Sequence, residues 1–190
     1  KDIRIAMTEW NYWYGPHAFG ELGTRYFLKD ALGIAAGVHE YARQSDVVAA
    51  AFYAQTVNVI GCIKTTPTKA AFDTTGLVLK LYRAKYGEKP LDVTGDYAPV
   101  DVAAALTDDE KTLTIGVVNP LGEDRTVKLD LTGLSPKGSG ARYVIASEDP
   151  MAYNDPNEAP KVEIVESKVA GFDGSVSVAP YSITLLALDL

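Results

Sequence analysis

The residue types best suited to chemistry lie near the start of the sequence, in the stretch TEWNYWYGP at residues 8–16. This stretch places one carboxylate, Glu9, among two tyrosines and both tryptophans of the chain. Aromatic faces stack on sugar rings, and carboxylates serve as nucleophile or general acid at a glycosidic bond. Asn11 can add a hydrogen bond to a bound sugar. The stretch therefore indicates a carbohydrate site.

A structural role for Glu9 is the alternative. In a core corner, Glu9 would form an ion pair with an arginine such as Arg4 or Arg25, and carboxylates in structural ion pairs are common. Residue spacing alone does not separate this interpretation from the catalytic one.

Other polar candidates follow the same logic with weaker signals. Gln55 ends the apolar run VVAAAFYAQ, so it is expected at the carboxyl end of a buried strand, where the active sites of β/α folds gather. Its amide can hold sugar hydroxyls, or it can satisfy loop backbone groups instead. His17 follows the aromatic stretch and can line a cleft, whereas the position of His39 within a helix is typical of a packing or surface residue.

The hydrophobic pattern of the first 88 residues predicts strand, helix, strand, helix, and hence parallel strands with crossover helices. The first helix covers residues 26–43, and its Gly33 and Gly37 let it lie close to a sheet. The continuously apolar second strand indicates burial on both faces. The second helix lies in TTGLVLKLYRAKYG, closed by Gly87 as a C-terminal cap.

Beyond Pro90 the pattern changes to short period-two segments separated by Gly, Pro and Asp, which is typical of an antiparallel β-sandwich. The segments are TLTIGVVN, RTVKLDL, GARYVIAS, KVEIVESKVAGF, SVSVAP and YSITLLALDL. The polar stretch SEDPMAYNDPNEAPK is predicted to be a long exposed loop. Residues 1–88 and 89–190 are therefore predicted to form separate α/β and sandwich domains.

Two parallel strands with two helices do not make an autonomous core, because a parallel sheet needs more strands and cover on both faces. We therefore expect other polypeptide to complete the first domain, and this chain to be the C-terminal portion of a larger protein. Made alone, it would expose an unpaired strand edge and an apolar surface, which favour aggregation.

Composition excludes several classes of function. The net charge of −7 and the lack of a basic stripe argue against nucleic acid as a partner. No apolar run is long enough to span a bilayer, so no membrane partner is expected. One cysteine, Cys62, excludes an internal disulfide and a Cys-rich metal site. The compartment stays open, and the composition favours the cytoplasm.

The stretches MTEWNYWYGP and AQTVNVI, together with the residues between and after them, resemble the C-terminal half of the α-L-arabinofuranosidases of glycoside hydrolase family 51. The sandwich stretches DPMAYNDPNEAPKV and VAPYSITLLAL resemble the same family. The similarity runs over nearly the whole chain, and EWN and AQxVNVI are its most specific parts.

The resemblance implies the last two β/α units of a (β/α)8 TIM barrel, followed by an antiparallel jelly-roll-like β-sandwich. It implies a retaining, exo-acting enzyme that releases terminal arabinofuranosyl residues from arabinoxylan, arabinan or their oligosaccharides. Glu9 matches the nucleophile of the family at the tip of the seventh barrel strand. Trp13 matches an aromatic lining of the sugar site, and Gln55 matches a glutamine that contacts arabinose.

The acid/base Glu of the family lies upstream of anything in this sequence, and Asn157-Glu158 in the sandwich loop is not that motif. The resemblance therefore implies a partner, a complementing N-terminal barrel polypeptide that carries the acid/base Glu. It implies a homo-oligomer and no metal or organic cofactor. An endo-β-glucanase or xylanase of the same family, and a non-catalytic sugar-binding or structural module, remain the alternatives.

Overall fold

The computed structural model describes residues 3–15 and 20–190. His17, which is predicted to line a cleft, lies outside these ranges.

The first part of the chain has the predicted order of strand, helix, strand, helix. Its elements are β1 (Ile5–Trp10), a 3-10 turn (Gly20–Leu22), α1 (Leu28–Arg43), β2 (Val48–Tyr53), β3 (Ile63–Thr65), β4 (Ala70–Phe72) and α2 (Thr74–Lys85). Strands β1 and β2 are parallel, as predicted. The hydrophobic pattern does not predict the short antiparallel hairpin of β3 and β4.

The second part is antiparallel, and each predicted period-two segment contains a strand. Its elements are β5 (Lys89–Leu91), β6 (Asp101–Leu106), β7 (Thr112–Asn119), β8 (Arg125–Lys128), β9 (Ser139–Ala146), β10 (Val165–Ala170), β11 (Ser175–Val178) and β12 (Ser182–Asp189). Six of them form one sheet in the order β10-β9-β12-β7-β6-β5, and β11 pairs with β8 in a second sheet.

The six-stranded sheet buries both of its faces. One apolar cluster lies between this sheet and the two helices, with Leu28, Ile34, Val78, Leu81, Ile145, Ile183 and Leu185 among its members. A second cluster joins the opposite face to β8 and β11 and includes Val102, Ile115, Val117, Val176, Val178 and Leu188. The α/β part and the sandwich therefore share a core across residue 88. In the described ranges, no helix is long and apolar enough to cross a membrane.

The loop predicted to be exposed at residues 147–161 is packed in its middle, so that prediction is wrong there. Ala152 and Asn154 are buried. The carbonyls of Pro150 and Ala152 accept hydrogen bonds from the amides of Lys29 at 2.9 Å and Leu28 at 2.8 Å. The first amides of a helix have no acceptor within the helix. The loop supplies hydrogen-bond acceptors for the first amides of α1. It is therefore packed against the helix although its polar composition predicts exposure.

Gly87 is not the helix cap that the sequence suggests. Gly87 follows the C-cap residue Tyr86, which is where a capping glycine stands, but it lacks the positive φ that such a cap requires. The amide of Gly87 donates to Thr114 Oγ1 at 2.9 Å, and a Cβ atom on Gly87 would collide with the Leu106 carbonyl. This glycine is needed because the chain leaves α2 in close contact with the sheet.

The predicted burial of β2 on both faces is wrong for this chain. No residue of β2 is fully buried, and Phe52 is 56% exposed. The reason is that β1 and β2 pair only with each other among the described strands, so the apolar run lacks the neighbouring strands that its composition suits.

A buried polar cluster joins α1 and α2 to the sandwich. His39 is fully buried, and its Nδ1 donates to the carboxylate of Asp101 in β6. Its Nε2 accepts from the hydroxyl of Tyr82 in α2 at 2.6 Å, and Arg43 donates to the other Asp101 oxygen at 2.7 Å. Burial lowers the pKa of His39, outweighing the opposing effect of Asp101, and keeps the imidazole neutral.

The cluster predicts a pH dependence of stability. Unfolded histidine takes up a proton near pH 6.5, whereas folded His39 resists it, so the contribution of His39 to the free energy of unfolding is lost as the pH falls below about 6.5. On going from pH 7.5 to 5.5, the melting temperature should therefore fall further in the unmodified protein than in His39→Gln. Comparing the two proteins cancels other groups, including Asp73, whose raised pKa acts in the opposite direction. An equal pH dependence in both proteins would contradict the assignment.

Candidate active site

Glu9 is an exposed carboxylate beside a well-packed aromatic residue. It is the penultimate residue of β1. Its neighbour Trp10 packs edge-on against Tyr41 of α1, with ring centroids 5.0 Å apart, and against Tyr53 of β2 at 5.9 Å. These contacts fix the end of β1 from the helix side, while the Glu9 side chain stays accessible.

Neither arginine of the structural alternative pairs with Glu9. Arg4 donates to the Ser45 carbonyl. Arg25 forms an ion pair with Asp155 at 3.3 Å and lies over the ring of Tyr153 at 3.9 Å. In the part of the chain that the structure describes, the predicted core-corner ion pair is therefore not formed.

The carboxyl ends of β1 and β2 lie side by side and bring Glu9 and Gln55 to one edge. The last paired residues are Trp10 and Tyr53, and one further backbone bond follows, from the Ala54 amide to the Trp10 carbonyl at 3.1 Å. Gln55 comes next and is exposed. Within residues 3–15 and 20–190, its side chain makes no hydrogen bond.

Trp13, which follows β1, has an accessible aromatic surface. Its side chain is 74% exposed, and its indole N–H donates to the Gly15 carbonyl at 2.9 Å. That bond orients the ring and leaves its apolar surface uncovered. An exposed indole in the segment that follows Glu9 offers a stacking surface of the kind that a sugar ring requires.

Asn11 is held by the protein. Its Nδ2 lies 2.7 Å from the carbonyl oxygens of both Ala54 and Ile60 and 2.8 Å from the Tyr26 hydroxyl. Its Oδ1 accepts from the Tyr12 amide at 2.7 Å. The sugar contact expected of Asn11 stays a prediction, since the amide already has protein acceptors.

Residues that support this edge are missed by the sequence reasoning. Tyr26 is fully buried, and burial raises the pKa of its hydroxyl, which therefore stays protonated and donates to the Tyr12 carbonyl at 2.8 Å. The backbone amide of Tyr26 donates to Asp73 at 3.1 Å. Nothing in the spacing links Tyr26 to Asn11, because they meet only in the folded chain.

Asp73 begins α2 and sits in a buried charged pair. It accepts from the Thr74 amide at 2.9 Å, and Lys64 Nζ lies 3.9 Å from its other oxygen. Burial raises the pKa of Asp73 to about 7 against the opposing charge of Lys64. An Asp before an amphipathic segment is a helix start signal, so the sequence can identify Asp73 as the N-cap of α2. It cannot identify the hydrogen bond between Asp73 and the Tyr26 amide.

Comparison with known proteins gives consistent results across the chain. The family model described as the alpha-L-arabinofuranosidase C-terminal domain matches residues 8–182. A probable alpha-L-arabinofuranosidase C of Aspergillus clavatus is 30% identical over 96% of this chain and 39% of its own length. An intracellular exo-alpha-(1->5)-L-arabinofuranosidase 1 of Bacillus subtilis is 26% identical over 97% of this chain and 40% of its own length.

A solved structure gives the same result for the fold. The thermostable GH51 alpha-L-arabinofuranosidase of Thermotoga petrophila superimposes with a TM-score of 0.83 at 25% identity, over 98% of this chain and 43% of that one. The predicted fold class is thereby confirmed, with an α/β part that precedes a C-terminal β-sandwich as in these enzymes. The chain spans about two fifths of the length of the curated relatives it matches. It belongs to the family of alpha-L-arabinofuranosidase C-terminal domains.

Proposed function

We propose that this chain is the nucleophile-bearing C-terminal part of a retaining, exo-acting α-L-arabinofuranosidase. Its substrates are terminal non-reducing α-L-arabinofuranosyl residues of arabinoxylan, arabinan or their oligosaccharides. The observation that carries the proposal is the exposed Glu9 carboxylate at the end of a parallel strand, without an arginine partner in the described chain and on the strand paired with the one that leads to Gln55. The family match over residues 8–182 supports it.

In the proposed reaction, a Glu9 oxygen attacks the anomeric carbon as the bond to the leaving oxygen breaks, and an acid on complementing polypeptide protonates that oxygen. The acid, now deprotonated, then takes a proton from water as the water oxygen attacks the anomeric carbon. This attack displaces Glu9 and regenerates its carboxylate. Two displacements at one carbon retain its configuration. The two carboxyl groups must lie about 5–5.5 Å apart, while Trp13 packs against the sugar and Gln55 binds its hydroxyls.

The β1–β2 pair supports the proposal that other polypeptide completes the site. Three of its large apolar side chains are at least 39% exposed, namely Ile5 at 50%, Met7 at 39% and Phe52 at 56%, and Ile3, which precedes β1, is 80% exposed. Further parallel strands would bury this surface and pair the free edges of both strands.

Glu9→Ala tests the nucleophile in the protein assembled with its complementing polypeptide. We expect kcat on an aryl α-L-arabinofuranoside to fall by about 10⁴-fold or more, because no covalent intermediate can form. Azide should restore part of the activity by entering the vacated space, bonding to the anomeric carbon as the aryl oxide leaves, and giving a glycosyl azide of inverted configuration.

Glu163→Ala is the matched control, since Glu163 is also exposed but lies in the sandwich, and its kinetics should equal those of the unmodified protein. Turnover that persists in Glu9→Ala would refute the assignment. Preference for a β-glucan or xylan over the arabinofuranoside would favour the endo-acting alternative. The absence of any hydrolysis by the assembled, unmodified protein would favour a non-catalytic module.

Gln55→Ala tests the sugar contact. Loss of the amide should lower kcat/KM by about 10–100-fold, or roughly 1.5–3 kcal/mol of hydrogen bonding to the sugar. The melting temperature should be unchanged, because the side chain is exposed. Gln44→Ala is the control. Gln44 is an exposed glutamine that follows the C-terminal end of α1, and its side-chain amide donates to the Glu40 carboxylate at 3.1 Å. Equal kinetics in the two variants would exclude a sugar contact for Gln55.

The mass of the active particle tests the partner. Because this chain spans 39% of the length of an Aspergillus relative, additional polypeptide should account for more than half the mass of each active unit. Light scattering combined with gel filtration and mass spectrometry measures this directly. A soluble, monomeric chain of 20.4 kDa with full arabinofuranosidase activity would contradict the proposal.

A further inference from the structure

We propose that Asn11 is a positioning residue, whose side-chain amide fixes the backbone of Gln55 relative to Glu9. This inference rests on the proposed function for its effect on activity. The hydrogen bonds themselves are independent of that function and can be tested separately.

The amide of Asn11 continues the β1–β2 pairing after the backbone ladder has ended. The Ala54 amide donates to the Trp10 carbonyl at 3.1 Å. The next contact is made by a side chain, with Asn11 Nδ2 donating to the Ala54 carbonyl at 2.7 Å. That carbonyl belongs to the peptide group that enters Gln55. One residue therefore connects the segment carrying Glu9 to the backbone that carries Gln55.

The same amide also holds the far side of the loop after β2. Asn11 Nδ2 lies 2.7 Å from the Ile60 carbonyl and 2.8 Å from the Tyr26 hydroxyl. A primary amide has two N–H donors, so three acceptors compete for them. The Tyr26 hydroxyl also lies 3.2 Å from the Ile60 carbonyl oxygen. Residues 54–60 are thus held at both ends through one half-buried amide.

The positions of both site residues depend on these backbone contacts. The Gln55 side chain is exposed and has no hydrogen bond in the described chain, so only its backbone fixes its place. Glu9 lies two residues before Asn11 on an exposed strand. Misplacement of reacting groups by about 1 Å can cost about 10²-fold in rate. Loss of the Asn11 amide should therefore impair chemistry even in a folded protein.

Asn11→Asp is the decisive variant, because it keeps the shape of the side chain and replaces its donors with a carboxylate that faces carbonyl oxygens. We expect kcat/KM on an aryl α-L-arabinofuranoside to fall by about 10–100-fold, mainly through kcat. Hydrogen exchange of the amides at residues 54–61 should be faster. Both measurements use the protein assembled with its complementing polypeptide.

Asn119→Asp is the matched control. Asn119 is buried, and it likewise holds backbone through its amide, donating to the carbonyls of Glu123 at 2.9 Å and Ala179 at 2.8 Å and accepting from the Leu121 amide at 3.1 Å. It lies at the end of β7 in the sandwich, so its variant should show faster exchange near residues 119–123. Its kcat/KM per folded molecule should be unchanged.

A pH profile separates positioning from a general loss of structure. A protonated carboxyl group can donate one hydrogen bond to the Ala54 carbonyl, so the activity of Asn11→Asp relative to the unmodified protein should rise as the pH falls. Asn11→Ala has no group to protonate, and its relative activity should stay flat. The same profile in both variants would overturn the proposal.

Two other results would also overturn it. One is unchanged exchange at residues 54–61 in Asn11→Asp. The other is an activity loss no greater than the loss of folded protein, as in the control. If the unmodified assembly has no arabinofuranosidase activity, the proposed function fails, and exchange alone then decides whether Asn11 fixes the Gln55 backbone.

Discussion

The packing of helix α1 on both of its sides is the constraint on which the rest of the structure depends. On one side Gly33 lies against Tyr12, and Gly37 lies so close to Trp10 that an added Cβ would be 3.0 Å from its ring. On the other side Leu28, Ile34 and their neighbours bury their side chains against the six-stranded sheet. A Cβ on Gly37 would press on the Trp10 ring in β1, next to Glu9.

The sandwich supports this helix as well as covering it. Its loop accepts hydrogen bonds from the first amides of α1, and Asp101 of β6 binds His39 and Arg43 near the other end. The chain leaving β1 runs along α1 toward its first turn, because Trp10 lies against Gly37 and Tyr41 whereas Tyr12 lies against Gly33. Contacts of the sandwich therefore help to position the helix against which the end of β1 packs.

Sequence periodicity predicts most of this fold, because burial on one face of a strand or helix leaves a regular pattern. It places β7 and β12 well, and it places Glu9 and Gln55 at strand ends. It fails for features set by long-range polar contacts. The loop at residues 147–161 is polar in composition, yet it is packed because its carbonyls meet a helix terminus. Asn11 is of a residue type that binds sugar hydroxyls. Only the folded chain shows that its side-chain amide instead donates to the backbone carbonyls of Ala54 and Ile60.

The candidate site thus divides its polar groups between two kinds of environment. Asn11, Tyr26 and Asp73 have protein partners that hold backbone in place, whereas the side chains of Glu9 and Gln55 have none in the described chain. A bound sugar can pair only with groups that the protein leaves unpaired, and it is bound accurately only if the backbone beneath those groups is fixed. A nucleophile already held in an arginine ion pair would have to break that pair before it could attack. A free carboxylate on a strand end that protein contacts hold in place is the arrangement that the proposed displacement needs. The second carboxyl group would then come from the complementing polypeptide that the proposal requires.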